Sequence, residues 1–225
     1  MQKHNIRTPK RSRAKPASGE PAPSISSSLP QAICVYCGSG DGSNPAYVDA
    51  ARSLGKSMAD AGIGLVYGGG SLGLMGETAR TVLANGGRVT GIIPSFLSLK
   101  ERMLREVQEL IVVDDMHERK RLMFEKSDAF VALPGGIGTL EELVEQLTWS
   151  QLGRHDKPIV LANIAGFWEP FRMLLAHMRT EAFIRPGLEV RYTVVERAQD
   201  IIPAVTAAIA AAGNGDRGEH VPKKF

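Results

Sequence analysis

Three features that mark other protein classes are missing from this chain of 225 residues. No apolar run is long enough to cross a bilayer, so we do not expect a membrane protein. The five histidines are scattered without ligand spacing, so we expect no metal site. The motif G-x-x-x-x-G-K-[ST] is also absent, which argues against a nucleoside triphosphatase.

Cysteine is scarce as well, because Cys34 and Cys37 in "QAICVYCGSG" are the only two. Their C-x-x-C spacing is that of a redox motif, but such a motif normally opens a helix, and this one lies inside an apolar, strand-like run. Residues three apart on a strand face opposite sides. We therefore expect one core thiol and one thiol near the strand end, in a reduced cytoplasmic protein.

The net charge of +3 is mild, and much of it lies in residues 1–29, which are rich in Lys, Arg, Ser and Pro. This segment has no long apolar stretch and so is not a secretory signal peptide, although an organelle transit peptide would look similar. We expect 1–29 and 213–225 to be disordered tails around a single domain, 30–212. Since the basic excess belongs to a tail, we expect neither nucleic acid nor a membrane as partner.

Short apolar runs alternate with helical patterns from about residue 31 onward, which predicts an α/β fold with a Rossmann-like, doubly wound parallel sheet. In such a sheet, ligands bind at the carboxyl edge. The predicted strands are 32–37, 64–67, 88–94, 110–114, 128–134, 157–163 and 192–196, and the predicted helices lie near 45–61, 73–85, 115–127, 139–152, 167–179 and 198–211.

Glycine-rich turns follow three of these strands: "CGSGDGSNP", "YGGGSLGLMG" and "PGGIGT". Glycine lets backbone N–H groups approach an anion closely, and a following helix N-terminus adds a favourable dipole. In a single turn, glycines serve equally well just to make the turn tight. Three such turns at one edge favour a phosphorylated ligand.

The second turn matches the dinucleotide motif G-x-G-x-x-G at Gly68, Gly70 and Gly73. A dinucleotide site also needs an acidic residue at the end of the next strand to hold the ribose. Pro94 and Ser95 occupy that place. The sequence therefore favours a monophosphate over a dinucleotide.

The stretch "PGGIGTLEE", 134–142, allows a structural and a functional interpretation. Thr139 and Glu142 have the T-x-x-E spacing of a capping box, in which Thr139 caps the helix and Glu142 reaches back to it. A cap does not need three glycines before it, however. Glu142 is therefore also a candidate for a functional carboxylate beside the phosphate turn.

In "DDMHERKRLMF", 114–124, either Asp114 or Asp115 can cap the helix that follows. Met116, Arg119 and Met123 recur at helical spacing, which places Arg119 on the inward stripe, where it could bind a phosphate or pair with Glu142. The neighbouring residues 120 and 121 are expected on a solvated face.

These motifs, together with "TWSQLGRHDKPIVLAN", resemble the Lonely Guy family of cytokinin riboside 5′-monophosphate phosphoribohydrolases over roughly residues 31–205. The resemblance implies that Arg119 and Glu142 are the catalytic pair. It also implies a substrate contact at Glu101, although the residues before it in "LSLKERM" differ from the family's Pro-Arg-Glu. The remaining substrate-binding residues implied are Ser39, Gly69, Gly70, Lys120, Gly135, Gly136, Gly138, Thr139 and Thr148.

The same resemblance implies hydrolysis of the N-glycosidic bond of an N6-substituted adenosine 5′-monophosphate, without a cofactor, by a homodimer. Members of the family have often been labelled lysine decarboxylases. A pyridoxal phosphate decarboxylase needs a Schiff-base lysine and a partner for the pyridine nitrogen in a much larger scaffold, which this sequence does not supply. A non-catalytic carrier of a nucleotide or cofactor is the alternative, because a fold alone does not fix function.

Overall fold

The computed structural model describes residues 29–97 and 103–214. The two predicted tails therefore fall outside the described residues, apart from Leu29 and residues 213 and 214, which end the last helix. Glu101, one of the predicted substrate contacts, also lies outside them. No helix in the described part of the chain is long and apolar enough to span a membrane.

Seven strands form one sheet in which every paired strand runs parallel to its neighbour. The strands are β1 Ala32–Tyr36, β2 Gly64–Tyr67, β3 Val89–Pro94, β4 Glu109–Val113, β5 Ala129–Ala132, β6 Ile159–Ala162 and β7 Thr193–Val195. The helices are α1 Pro45–Asp60, α2 Gly73–Ala84, α3 Met116–Glu125, α4 Ile137–Gln151, α5 Glu169–Thr180 and α6 Ile201–Asn214.

The strand order β4-β3-β2-β1-β5-β6-β7 places the first strand at the centre of the sheet. The chain runs outward to β4 and returns to β5 on the other side of β1, so the direction of winding reverses between β1 and β5. Helices α1, α2 and α6 pack on one face, and α3 and α4 pack on the other. The predicted doubly wound sheet is confirmed.

Alternate residues of β1 enter two different cores. Ile33 and Val35 pack with α1 and α2, whereas Cys34 and Tyr36 pack with α3 and α4. Cys37 belongs to the first core, so the two cysteines face opposite sides of the sheet as predicted. Both are free and buried, and burial, with the Glu142 carboxylate second, raises the pKa of each thiol. Such thiols are poor nucleophiles.

The turn after β6 carries local backbone strain at Ala165, which has φ 50° and ψ 32°. A left-handed conformation disfavours any residue with a Cβ atom. We expect Ala165→Gly to raise the free energy of unfolding by about 0.5 kcal/mol, because relief of strain outweighs the added freedom of the unfolded chain. The matched control Ala176→Gly, at an exposed position inside α5, should lower it by about 1 kcal/mol. Urea titrations of both variants measure the difference, and a destabilised Ala165→Gly would contradict the strain argument.

Candidate active site

The three glycine-rich turns meet at one edge of the sheet, because β2, β1 and β5 are neighbours. Backbone hydrogen bonds connect them. Gly38 N–H donates to the Pro134 carbonyl at 3.0 Å, and Met75 N–H donates to the Gly38 carbonyl at 3.2 Å. The predicted gathering of the turns is confirmed, and it lies beside the reversal point between β1 and β5.

Close packing of the turns requires glycine at the start of α2. Gly73 has φ +59°, and a Cβ atom there would clash with the backbone of Ser39 and Gly40. Ser39 itself is exposed at this contact between the first two turns. In the second turn, Gly69 also has a left-handed φ of +78°, and Gly70 forms a bridge to Met103.

The helices that begin at this edge start in different ways. Within the described part of the chain, α1 is capped by the side chain of Asn44 and α3 by that of Asp115, whereas α2 and α4 have no side-chain cap. A Cβ atom at Gly136 or Gly138 would meet nothing within 4 Å, so the first turn of α4 is open. Uncapped, accessible N–H groups are suited to bind an anion.

The predicted capping box is wrong. The N-cap residue of α4 is Gly136, so Thr139 lies inside the first turn and Glu142 in the second. The glycines allow the chain to enter the helix earlier than a threonine cap would. Thr139 is buried and packs against Gly135, where a Cβ atom would clash with its hydroxyl group. A capping role for Glu142 is therefore removed.

Glu142 is 9% exposed and lies on the inward side of α4, facing the end of β1. Burial is the largest cause of the raised pKa values of Cys34 and Tyr36, and the charge of Glu142 contributes to both. The charge of Arg119 has the opposite effect and lowers the pKa of Cys34. Arg119 and Glu142, on two different helices, thus lie around the same buried part of β1.

Arg119 is buried on the inward stripe of α3, as predicted. Its Nε donates to the Ile92 carbonyl at 3.2 Å, and a terminal nitrogen donates to the Gly68 carbonyl at 3.0 Å. A Cβ atom at Gly68 would clash with the guanidinium group. These contacts are to carbonyls rather than to a carboxylate, so Arg119 fixes the turn after β2, and its pairing with Glu142 stays a hypothesis.

The two basic residues after Arg119 have different environments. The expectation of a solvated face is wrong for Lys120, whose Nζ lies 2.7 Å from Glu141 and 2.9 Å from Glu145 on α4. Burial lowers the pKa of Lys120, but these hydrogen bonds outweigh it and raise the pKa overall. Arg121 is exposed and pairs with Glu125 of its own helix at 3.0 Å, as expected for a solvated position.

Thr148 does not lie with the other predicted site residues in this chain. It is exposed, and its hydroxyl group donates to the Val144 carbonyl of its own helix at 2.7 Å. Thr148 lies nine positions after Thr139, which is roughly 13 Å along a helix. A contact between Thr148 and a ligand at the glycine turns is thus not supported within one subunit.

Gln146 is a further candidate that the sequence motifs did not include, and it is 1% exposed on the same inward stripe as Glu142. Neither its side-chain nitrogen nor its side-chain oxygen has a hydrogen-bond partner among the described residues. The signal was present in the sequence, because Gln146 stands four residues after Glu142 and such residues are neighbours on a helix.

The chain is similar to a family model and to several relatives over most of its length. Residues 75–205 match a family model described as possible lysine decarboxylase. A probable cytokinin riboside 5′-monophosphate phosphoribohydrolase of Oryza sativa subsp. japonica is 52% identical over 153 residues, which cover 68% of this chain and 69% of the relative. A cytokinin riboside 5′-monophosphate phosphoribohydrolase of Rhodococcoides fascians is 43% identical over 177 residues, covering 78% of this chain and 89% of the relative.

Among solved structures, the molybdenum cofactor binding protein of Rippkaea orientalis is similar, with a TM-score of 0.61 and 23% identity. The match covers 79% of this chain and 96% of that protein, and at this identity it shows a shared fold alone. The chain spans about two thirds of the length of the rice relatives it matches. The family match over residues 75–205 and the high identity to curated relatives show that the chain belongs to the Lonely Guy family.

Proposed function

We propose that this protein hydrolyses the N-glycosidic bond of an N6-substituted adenosine 5′-monophosphate, giving the free base and ribose 5-phosphate. The observation that carries the proposal is the combination, at one sheet edge, of an open helix start with a buried carboxylate and a buried guanidinium. The names of the relatives at 52% and 43% identity support it.

The phosphate would bind at the glycine turns. The uncapped first turn of α4, at Gly136 and Gly138, offers N–H groups and the positive end of the helix dipole. At the start of α2, by contrast, the Leu74 and Met75 N–H groups donate to the Gly40 and Gly38 carbonyls and so hold the turns together. Binding energy from the remote phosphate group helps to position the sugar for reaction.

Glu142 would act on the ribose and on the attacking water. Breaking the bond between C1′ and the base nitrogen develops positive charge on the ribose, which a carboxylate stabilises. The same carboxylate can orient the water and accept its proton as the water oxygen bonds to C1′. The departing base keeps the electron pair of the broken bond and takes up one proton, so one water molecule is consumed.

Arg119 would act on the substrate from the second turn. Its guanidinium group is held by the Gly68 and Ile92 carbonyls, and it would offer its charge to a phosphate or ribose oxygen at the edge. A fixed cation there stabilises the bound nucleotide without reorganisation during the reaction.

We expect hydrolysis to depend strongly on the 5′-phosphate. Adenosine, which lacks the group that the glycine turns would hold, should have a kcat/KM lower than that of adenosine 5′-monophosphate by about 10²-fold or more. Steady-state assays of adenine release from both compounds measure the ratio. Equal turnover of the two would show that the turns do not bind phosphate.

The choice of base is tested by comparing kcat/KM for adenosine 5′-monophosphate and its N6-isopentenyl form. We expect the N6-substituted nucleotide to be the better substrate, in line with the names of the relatives. A clear preference for the unsubstituted nucleotide would instead assign the protein to adenosine monophosphate hydrolysis.

Decarboxylation of lysine, which the description of the family model suggests, has no support at the site. A Schiff-base lysine requires a lowered pKa. Lys120, on the helix of Arg119, has a raised pKa and is held by two carboxylates. The alternative function is that of a non-catalytic carrier. This chain shares its fold with the molybdenum cofactor binding protein of Rippkaea orientalis, but the sequence identity is 23%, against 52% to the rice phosphoribohydrolase.

We also propose that the protein is a cytoplasmic homodimer. Four apolar side chains on α5 and the turn after it are exposed: Met173, Leu174, Met178 and Phe183. Leu174 also lines an apolar groove that reaches Ile137 at the start of α4. A second copy of the chain would cover this surface. The free, buried thiols of Cys34 and Cys37 suit a reducing compartment.

A further inference from the structure

Gln146 is a polar side chain buried in the fold without visible use of its polar atoms. It is 1% exposed, on the side of α4 that packs against the sheet between Leu143 and Leu147. Both polar atoms of its side chain lack a hydrogen-bond partner among the described residues. A buried carboxamide without partners lowers stability, so its presence calls for a role in which those atoms are used.

The direction of the side chain indicates what it can reach. Long side chains on a helix point back toward the N-terminus and lie over the preceding turn. For Gln146 that turn contains Glu142, four residues earlier and on the same buried stripe. The i, i+4 spacing therefore places the carboxamide within reach of the carboxylate on the inward side of α4.

The other groups around Glu142 come from the elements packed against α4. Cys34 and Tyr36 of β1 lie in the same core as α4, and burial and the charge of Glu142 raise the pKa of both. Arg119 from α3 also faces this part of β1. In this desolvated setting, a neutral N–H donor aimed at the carboxylate favours its ionised form and fixes its orientation.

We propose that Gln146 is a positioning residue for Glu142, whose side-chain N–H donates to the Glu142 carboxylate when the substrate is bound. Hydrogen bonds of this kind are often long or misaligned before the substrate binds and tighten in the complex. The donor holds the carboxylate ionised and aimed at C1′ of the ribose. This inference rests on the proposed role of Glu142 in hydrolysis.

The variant Gln146→Leu removes the donor and keeps the approximate volume. We expect kcat to fall about tenfold with little change in KM, because the lost hydrogen bond is one to a charged group. We also expect the acid limb of the pH profile of kcat/KM to move to higher pH, since the carboxylate loses a group that favours its ionised form. If Gln146 had only a structural role, its replacement would not move the acid limb.

Leu147→Met is the matched control, because it changes the next residue of the same buried stripe without changing polarity. It should leave both kcat and the acid limb unchanged. Full activity of Gln146→Leu with an unmoved acid limb and a higher melting temperature would overturn the inference, since Gln146 would then be only a destabilising core residue.

A second measurement needs neither turnover nor a substitution at position 146. In protein labelled with ¹⁵N at glutamine side chains and saturated with ribose 5-phosphate, with the Gln146 signal assigned through bonds, we expect its chemical shift to follow the titration of a carboxylate in the wild type. The shift should be flat with pH in Glu142→Gln. A flat wild-type signal would contradict the inference. A titrating signal in a protein that does not hydrolyse nucleotides would refute the proposed function and leave the positioning of Glu142 standing.

Discussion

Replacing Glu142 with glutamine is expected to lower kcat by about 10²-fold or more, while the protein still folds and binds nucleotide. The amide keeps the shape of the side chain but loses the charge that would stabilise the ribose and accept the proton of water. The structure strengthens this expectation, because α4 begins at Ile137 and Glu142 takes no part in a capping box. Steady-state kinetics measure the loss, and calorimetric binding of the nucleotide together with the melting temperature shows that the fold is intact.

Glu141→Gln is the matched control, because it removes the same charge from the adjacent residue of α4. The Glu141 side chain is 53% exposed and pairs with Lys120. Lys120 keeps Glu145 as its second partner, so we expect kcat to change by only a small factor. If Glu142→Gln kept a near-normal kcat, Glu142 would be a structural residue and the proposed chemistry would lose its base.

Arg119→Ala is expected to abolish turnover, because it removes a buried cation that both fixes the second turn and faces the ligand edge. Arg119→Lys should restore little of the activity. A lysine ammonium has one nitrogen, and it cannot reproduce the fork that reaches the Ile92 and Gly68 carbonyls together. Measurements of kcat/KM for both variants, with melting temperatures recorded beside them, separate the loss of the site from the loss of the fold.

The internal control for this series is Arg121→Ala, on the outer side of the same helix. Arg121 is 55% exposed and pairs with Glu118 and Glu125 of α3. We expect its removal to change kcat/KM by only a small factor. A fully active Arg119→Lys, or an Arg121→Ala as damaging as Arg119→Ala, would show that the catalytic pairing has been assigned to the wrong face of α3.

Much of the fold follows from local sequence patterns. All seven predicted strands and all six helices occur, because buried parallel strands appear as apolar runs that the glycine-rich turns separate from the helices. The boundaries were less accurate. The helix predicted to start at 139 begins at Ile137, since a glycine N-cap and an exposed isoleucine give no pattern that marks a helix start. The strand order could not be read from the sequence, since it depends on long-range packing.

The site was predicted only where local sequence patterns determine the position of a residue. Arg119 could be assigned to the inward stripe of α3 from helical spacing alone, and the structure places it there. The partners of Lys120 could not be predicted, because Glu141 and Glu145 belong to another helix whose position depends on the sheet. Gln146 was missed because a glutamine inside a helix usually faces solvent, although its position four residues after Glu142 indicated the inward stripe.

The central claim is that this chain breaks the nucleotide rather than carrying it. The most direct test is to incubate the purified protein with N6-isopentenyladenosine 5′-monophosphate and to quantify every product. We expect free N6-isopentenyladenine and ribose 5-phosphate in equal amounts, formed over many turnovers and lost in Glu142→Gln. Recovery of the intact nucleotide from a stable complex, with no free base released, would contradict it and identify the protein as a carrier.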